Sequence, residues 1–148
     1  MFVPGNIIYF DPFYFKNGNT AKPKYFVVLK NINNLTIIAS LPTRTDSIPA
    51  HFEINNNHQC INNSQNFFNC YVIKENIPIT ICGKSFDFQT HLYGEQIDDY
   101  EISILSEIYP NQGIDYHIWG ELIPEIFQNI IDCFRNSSTI KRKYKRLL

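Results

Sequence analysis

The run Tyr25-Phe26-Val27-Val28-Leu29, within Lys24 to Lys30, constrains the fold of this chain more than any other stretch. Aromatic and β-branched side chains fit a pleated, half-buried surface, so the run reads as a strand. Pro23 holds its neighbour Lys22 extended and gives the strand a clean start. Upstream, Pro4-Gly5 introduces an earlier strand, Asn6 to Phe10. Between them, Lys16-Asn17-Gly18-Asn19-Thr20 has the small, polar chemistry of a turn tip. Pro4 to Leu29 is therefore expected to fold as a pair of strands joined by an irregular loop.

Downstream, Leu35 to Leu41 (LTIIASL) reads as a further strand, introduced by the Asn31 to Asn34 turn cluster and closed by Pro42-Thr43-Arg44-Thr45. His51 to Asn69 is rich in asparagine, which favours turns, and is expected to be a loop insertion with a short strand at His51 to Ile54. Cys70 to Ile73 is a short strand, and Ile77 to Ile81 an apolar run that Pro78 restricts to an edge. Thr90 to Ile97 reads as one core strand, with His91, Tyr93 and Glu95 on one face and Leu92, Gly94 and Gln96 on the other. Asp98-Asp99 looks like a helix start, and Ile114 to Trp119 like a last strand. The clearest periodic signal is Ile123, Ile126, Phe127, Ile130, Ile131 and Phe134, whose spacing of three and four makes one apolar stripe on a helix. Pro124 suits its first turn and Asn136-Ser137-Ser138 its end. Lys141 to Arg146 forms a basic tail, read as a solvated helix end, a phosphate-binding arm or a disordered terminus.

A chain of 148 residues with 44% hydrophobic and 15% aromatic side chains supports one domain, residues 1–148, with a substantial core. Its net charge of −1 gives no global steering toward nucleic acid, so any such site must be a local basic surface. No apolar run approaches the roughly 18–20 residues that span a bilayer. The start, Met1-Phe2-Val3-Pro4-Gly5, lacks a basic region followed by an apolar one, so a cytoplasmic protein without membrane contact is expected. A reducing compartment argues against disulfides among Cys60, Cys70, Cys82 and Cys133, and no CxxC spacing supports zinc. His58, Cys60, Cys70 and Cys82 are the one set that could gather round a metal; buried small side chains plus a loop histidine are the simpler account.

The order glycine, hydrophobic strand, Asp11, long loop, Lys22-Pro23-Lys24, then Tyr25 to Leu29 resembles the opening of the MazF/PemK/Kid toxins of type II toxin–antitoxin systems. Leu92 to Tyr100 (LYGEQIDDY) resembles that family's acidic-Gln-apolar stretch, and Gly120-Glu121-Leu122 before an amphipathic helix resembles its end. The resemblance implies a mainly β, small SH3-like barrel of the MazF/PemK/CcdB type, with a short helix and a C-terminal amphipathic helix. It also implies a homodimer held in check by a protein antitoxin. The implied activity is cleavage of single-stranded RNA by attack of the 2′-hydroxyl, without metal or other cofactor. Such chemistry needs a base, an acid and cations near the phosphorane.

Matched segment to segment, Lys24 stands where the family usually carries arginine, Thr43 and Thr45 match its hydroxyl pair, and Glu95 matches its acid/base carboxylate. Arg44 is close enough in sequence to supply a guanidinium, while Lys22, His91 and Tyr93 are candidate substrate contacts. A lysine offers a point charge where arginine offers a planar fork, and Tyr93 stands where some members have a second arginine. These departures leave a competing reading: a catalytically inactive barrel that binds a protein, such as an antitoxin or a gyrase-like target, or nucleic acid. Each candidate also has a plainer role, as edge charge, turn cap, ion-pair partner or packed core.

Overall fold

The structure is a computed structural model that describes residues 2–41, 55–63, 65 and 68–148. It is mainly β, with strands β1 Asn6–Phe13, β2 Lys22–Ile32, β3 Leu35–Leu41, β4 Gln59–Asn63, β5 Phe68–Ile73, β6 Thr90–Tyr93, β7 Ile97–Glu101 and β8 Tyr116–Glu121. Helices α1 Ile102–Ile108, α2 Pro124–Arg135 and α3 Arg142–Leu147 complete it. The strands form two antiparallel sheets, a five-stranded one in the order β7-β3-β2-β1-β8 and a three-stranded one in the order β4-β5-β6. Among the described residues these ladders do not close into a barrel. No helix there is long and apolar enough to cross a membrane.

β2 lies at the centre of the larger sheet and is buried on both faces, which explains its unbroken apolar run. Val27 and Leu29 face an aliphatic layer shared with Ile7, Ile37, Ala39 and, from α2, Ile130 and Phe134. Phe26 and Val28 face an aromatic layer of Phe10, Phe13, Tyr109 and Tyr116, capped by Leu105 of α1. The rings of Phe13 and Phe26 lie 4.6 Å apart, and those of Phe10 and Tyr109 4.7 Å.

The periodic stripe at the C-terminus forms α2 with Pro124 in its first turn, and Ile130, Ile131, Cys133 and Phe134 are buried. The helix packs against β4 and β5, which is why the asparagine-rich segment, expected to be loop beyond Ile54, contains a strand at Gln59–Asn63. Pairing with β5 supplies what composition does not: β4 residues lie opposite β5 residues from Phe68 to Val72. The segment His51 to Ile54 lies outside the described residues. Ile77 to Ile81 is not a strand, since only Thr80 makes an isolated bridge, to Leu122. The last strand starts at Tyr116 rather than Ile114.

The same packing corrects the expectation of reduced cysteines. Cys60 of β4 and Cys133 on the inner face of α2 meet in a disulfide, their Cα atoms 5.6 Å apart. Cys70 is a buried thiol whose pKa is pushed up to about 12 by burial, and Cys82 is exposed. His58 is also committed: its Nδ1 accepts from the Lys74 amide at 2.9 Å and its Nε2 faces the Pro78 carbonyl at 3.3 Å. Burial lowers its pKa, so the neutral ring makes both contacts. The candidate metal set is thus dispersed.

Thr90 to Ile97 proves to be two strands in different sheets. After Tyr93 the chain makes a 3₁₀ turn, Gly94–Gln96, and enters the larger sheet as β7. Consequently Asp98 and Asp99 lie in a strand, and α1 begins four residues later than Asp98, at Ile102. Gly94 permits the crossing because a Cβ there would stand 2.5 Å from Asn69 Oδ1 and 2.7 Å from Ile140 Cγ1.

Gly94→Ala is expected to destabilise the protein by about 1–3 kcal/mol through overpacking, read from urea unfolding. The disulfide closes a span of 73 residues, so replacing Cys60 and Cys133 by serine should lower stability by about 4 kcal/mol. The wild type in a thiol reductant should match that double variant in the same unfolding measurement.

Candidate functional site

Strand alternation places Lys24 and Phe26 of β2, Ile38 and Ser40 of β3, and Asp98 and Tyr100 of β7 on one face of the larger sheet, as the pairings Phe26–Ser40 and Ile38–Asp98 require. Farther along this face the aromatic layer and α1 cover the sheet. At the Lys24 end the β1–β2 loop stands over it instead, and a cleft of about 540 Å³ remains between loop and sheet. Loop residues Phe15, Lys16, Asn17, Asn19 and Thr20 form its wall with Lys22, and Gln96 closes the far side.

Lys24 lies on the cleft floor and is only 9% exposed. A lysine is seldom so buried, and here its position alternates with Phe26 and Val28, so its stem extends the apolar layer. Lys16 and Lys22 are exposed at the rim. The Lys22 ammonium lies 5.8 Å from the centre of the Phe15 ring, and that of Lys16 4.0 Å from the centre of Tyr100. Lys16 also ties the loop to β7: its Nζ lies 3.3 Å from Asp98 Oδ1 and 3.7 Å from Asp99 Oδ1, and it donates to the Asp99 carbonyl. Across the floor, Ser40 Oγ donates to Gln96 Oε1 at 3.2 Å. Burial first, and the Asp98 charge next, push the Tyr100 hydroxyl up to about 12, so it stays neutral.

Among the described residues, three lysines and one carboxylate, Asp98, line the cleft. The described lining is thus cationic, in a chain whose net charge is −1. Its remaining lining is amide, hydroxyl and aromatic, which suits an anion attached to planar groups. Among the described residues, no cluster of histidine, cysteine and carboxylate side chains is arranged to hold a metal ion.

Of the residues singled out from sequence, Lys24 and Lys22 come together here. Thr43, Arg44 and Thr45 lie outside the described residues. Glu95 is exposed on the 3₁₀ turn and is not part of the cleft lining; its neighbour Gln96 is. The expectation that His91, Tyr93 and Glu95 share a face fails because the strand ends at Tyr93. His91 and Tyr93 are 2% and 8% exposed in the smaller sheet. The Gln89 amide donates to His91 Nε2 at 2.9 Å, which leaves Nδ1–H to face the Tyr93 hydroxyl at 3.2 Å. Their geometry is that of a packed polar network, away from the cleft. Lys16, Ser40, Gln96 and Asp98 were missed. A period-two reading of β3 and of a strand beginning at Ile97 would have aligned Ser40 and Asp98 with Lys24; the sequence offers no sign of where that strand begins.

The chain matches no protein-family model, no curated protein and no solved structure.

Proposed function

We propose that this protein binds single-stranded RNA in the lysine-lined cleft and cleaves it without a metal ion, as a MazF/PemK-like endoribonuclease. The observation that carries the reading is Lys24, a largely buried lysine that lines a cleft with Lys16 and Lys22 at its rim. Buried positive charge with little water around it stabilises a phosphorane dianion more strongly than a solvated one does. Ser40 and Gln96 are placed to orient phosphate or base edges, and Phe15 and Tyr100 offer ring surfaces for stacking. On this reading the larger sheet, with its loop over one face, is an opened relative of the SH3-like barrel. An antitoxin would then act by covering the cleft.

Cleavage runs by attack of the 2′-hydroxyl on the adjacent phosphorus, leaving a 2′,3′-cyclic phosphate and a free 5′-hydroxyl. The lysines supply charge stabilisation; proton transfer needs a general base within reach of the 2′-hydroxyl. Glu95 on the outer turn favours the rival reading, binding without cleavage.

Incubating the purified protein with a long RNA in excess EDTA separates these. Cleavage that Lys24→Ala abolishes supports the nuclease. RNA binding without cleavage supports the binding module, and neither binding nor cleavage overturns both. With three lysines on phosphate, the logarithm of the binding constant should fall with the logarithm of salt at a slope of about −2, and each lysine-to-alanine change should lessen that slope by about 0.7. A slope unaffected by Lys16, Lys22 and Lys24 would place the RNA elsewhere.

A further inference from the structure

We propose that Asp98 is the catalytic base of the cleft and that the C-terminal helix positions it through Tyr144; this rests on the nuclease reading above. Among the described residues, Asp98 is the carboxylate that lines the cleft holding Lys24. Its two oxygens are not equivalent. Three donors converge on Oδ1: the Asp99 amide at 2.8 Å, the Lys16 ammonium at 3.3 Å and the Tyr144 hydroxyl at 3.4 Å. Oδ1 therefore anchors the group and leaves Oδ2 to accept a proton. A carboxylate held through one oxygen keeps its orientation while the other meets substrate.

Tyr144 is equipped for the anchoring role. It is 2% exposed in the main core, which fixes its ring, and burial together with the charges of Asp99 and Asp98 raises its pKa. It therefore stays protonated and donates. Lys143, its neighbour on α3, lies 3.7 Å from Asp99 Oδ2, so consecutive residues of the helix hold consecutive carboxylates of β7. The basic tail is thus a helix that meets β7 through Tyr144 and Lys143. Lys141 is exposed before it, and the buried Ile140 sits against Gly94, tying the helix to the turn that feeds β7.

In the step itself, the proton on O2′ passes to Asp98 Oδ2, the O2′–P bond forms, and the P–O5′ bond breaks. The departing O5′ takes a proton from water, and Asp98 returns its own to the hydroxide so formed. Atoms and charge balance with no further reactant.

The test measures RNA affinity and single-turnover cleavage, in EDTA, for the wild type, Asp98→Asn, Asp98→Glu, Glu95→Gln and Tyr144→Phe. Asp98→Asn should lower the cleavage rate at least about 100-fold, the lower end of what a general base contributes. Its RNA affinity should be no weaker, because a negative charge has left the cleft. Asp98→Glu should recover part of the rate. Tyr144→Phe keeps the packed ring and loses the hydroxyl, so its rate constant should fall about fivefold with the RNA concentration at half-maximal rate unchanged. A merely structural role would move that concentration or the melting temperature instead. If the wild type cleaves and Asp98→Asn cleaves equally, or if Glu95→Gln alone is inactive, the assignment of Asp98 is overturned while the nuclease reading stands. If the wild type binds RNA and does not cleave it, both fall.

Discussion

Burial of β2 on both faces is the constraint on which the rest of the molecule depends. Phe26, Val27, Val28 and Leu29 are each at most 4% exposed, and each buried side chain of this kind contributes roughly 1.5–3 kcal/mol. Two layers are needed to achieve that: α2 with the smaller sheet on one side, and an aromatic layer with α1 on the other. Toward the start of the strand Phe10 and Phe13 of the aromatic layer pair with Lys24 and Lys22, and the β1–β2 loop takes the place of α1. There the alternation that buries Phe26 and Val28 also points Lys24 into the space beneath the β1–β2 loop. Lys24 thus shares the lining of the cleft with Phe26 and Ile38, and the cleft lies where the β1–β2 loop replaces α1 over the sheet.

The C-terminal third ties this arrangement together. α2 covers the aliphatic face and is fastened to β4 by the Cys60–Cys133 disulfide. Asn69 Nδ2 donates to the Cys133 carbonyl at 3.1 Å, a buried contact between β5 and the same helix. α3 then returns to β7, where Tyr144 and Lys143 meet Asp98 and Asp99. The elements that hold the core closed therefore also hold the acidic edge of the cleft. Lys16 faces those same carboxylates from the loop. The partly exposed ion pairs contribute little stability individually, and their effect is on geometry.

What was legible in the sequence follows from how local each signal is. Leu35–Leu41 was read with its exact bounds, and α2 was expected from its stripe, because alternation and helical periodicity are written along the chain. β4 was hidden, since its strand character comes from pairing with β5 and from a helix more than sixty residues away in sequence, as the span of 73 between Cys60 and Cys133 makes plain. Gly94 concealed more: nothing local says that a glycine between apolar runs marks a change of sheet, and the faces of Glu95, Gln96 and Asp98 all depend on it. Of the candidate residues, Lys24, singled out through the resemblance, and Lys22 line the cleft. Asp98 was not legible, because two adjacent aspartates before an apolar run look like a helix start, whereas here they pair with Ile38 and Ile37 on an edge strand.

The central claim is that RNA occupies the face of the sheet that carries Lys24. Chemical-shift mapping with a short oligonucleotide, 2′-deoxy throughout and so unable to supply the attacking hydroxyl, tests it most directly. The account predicts the largest perturbations at Lys16, Lys22, Lys24, Ser40, Gln96 and Asp98, with Tyr9, Tyr25 and Trp119 on the opposite face unmoved. Perturbations centred on that opposite face, or none at all, would contradict it.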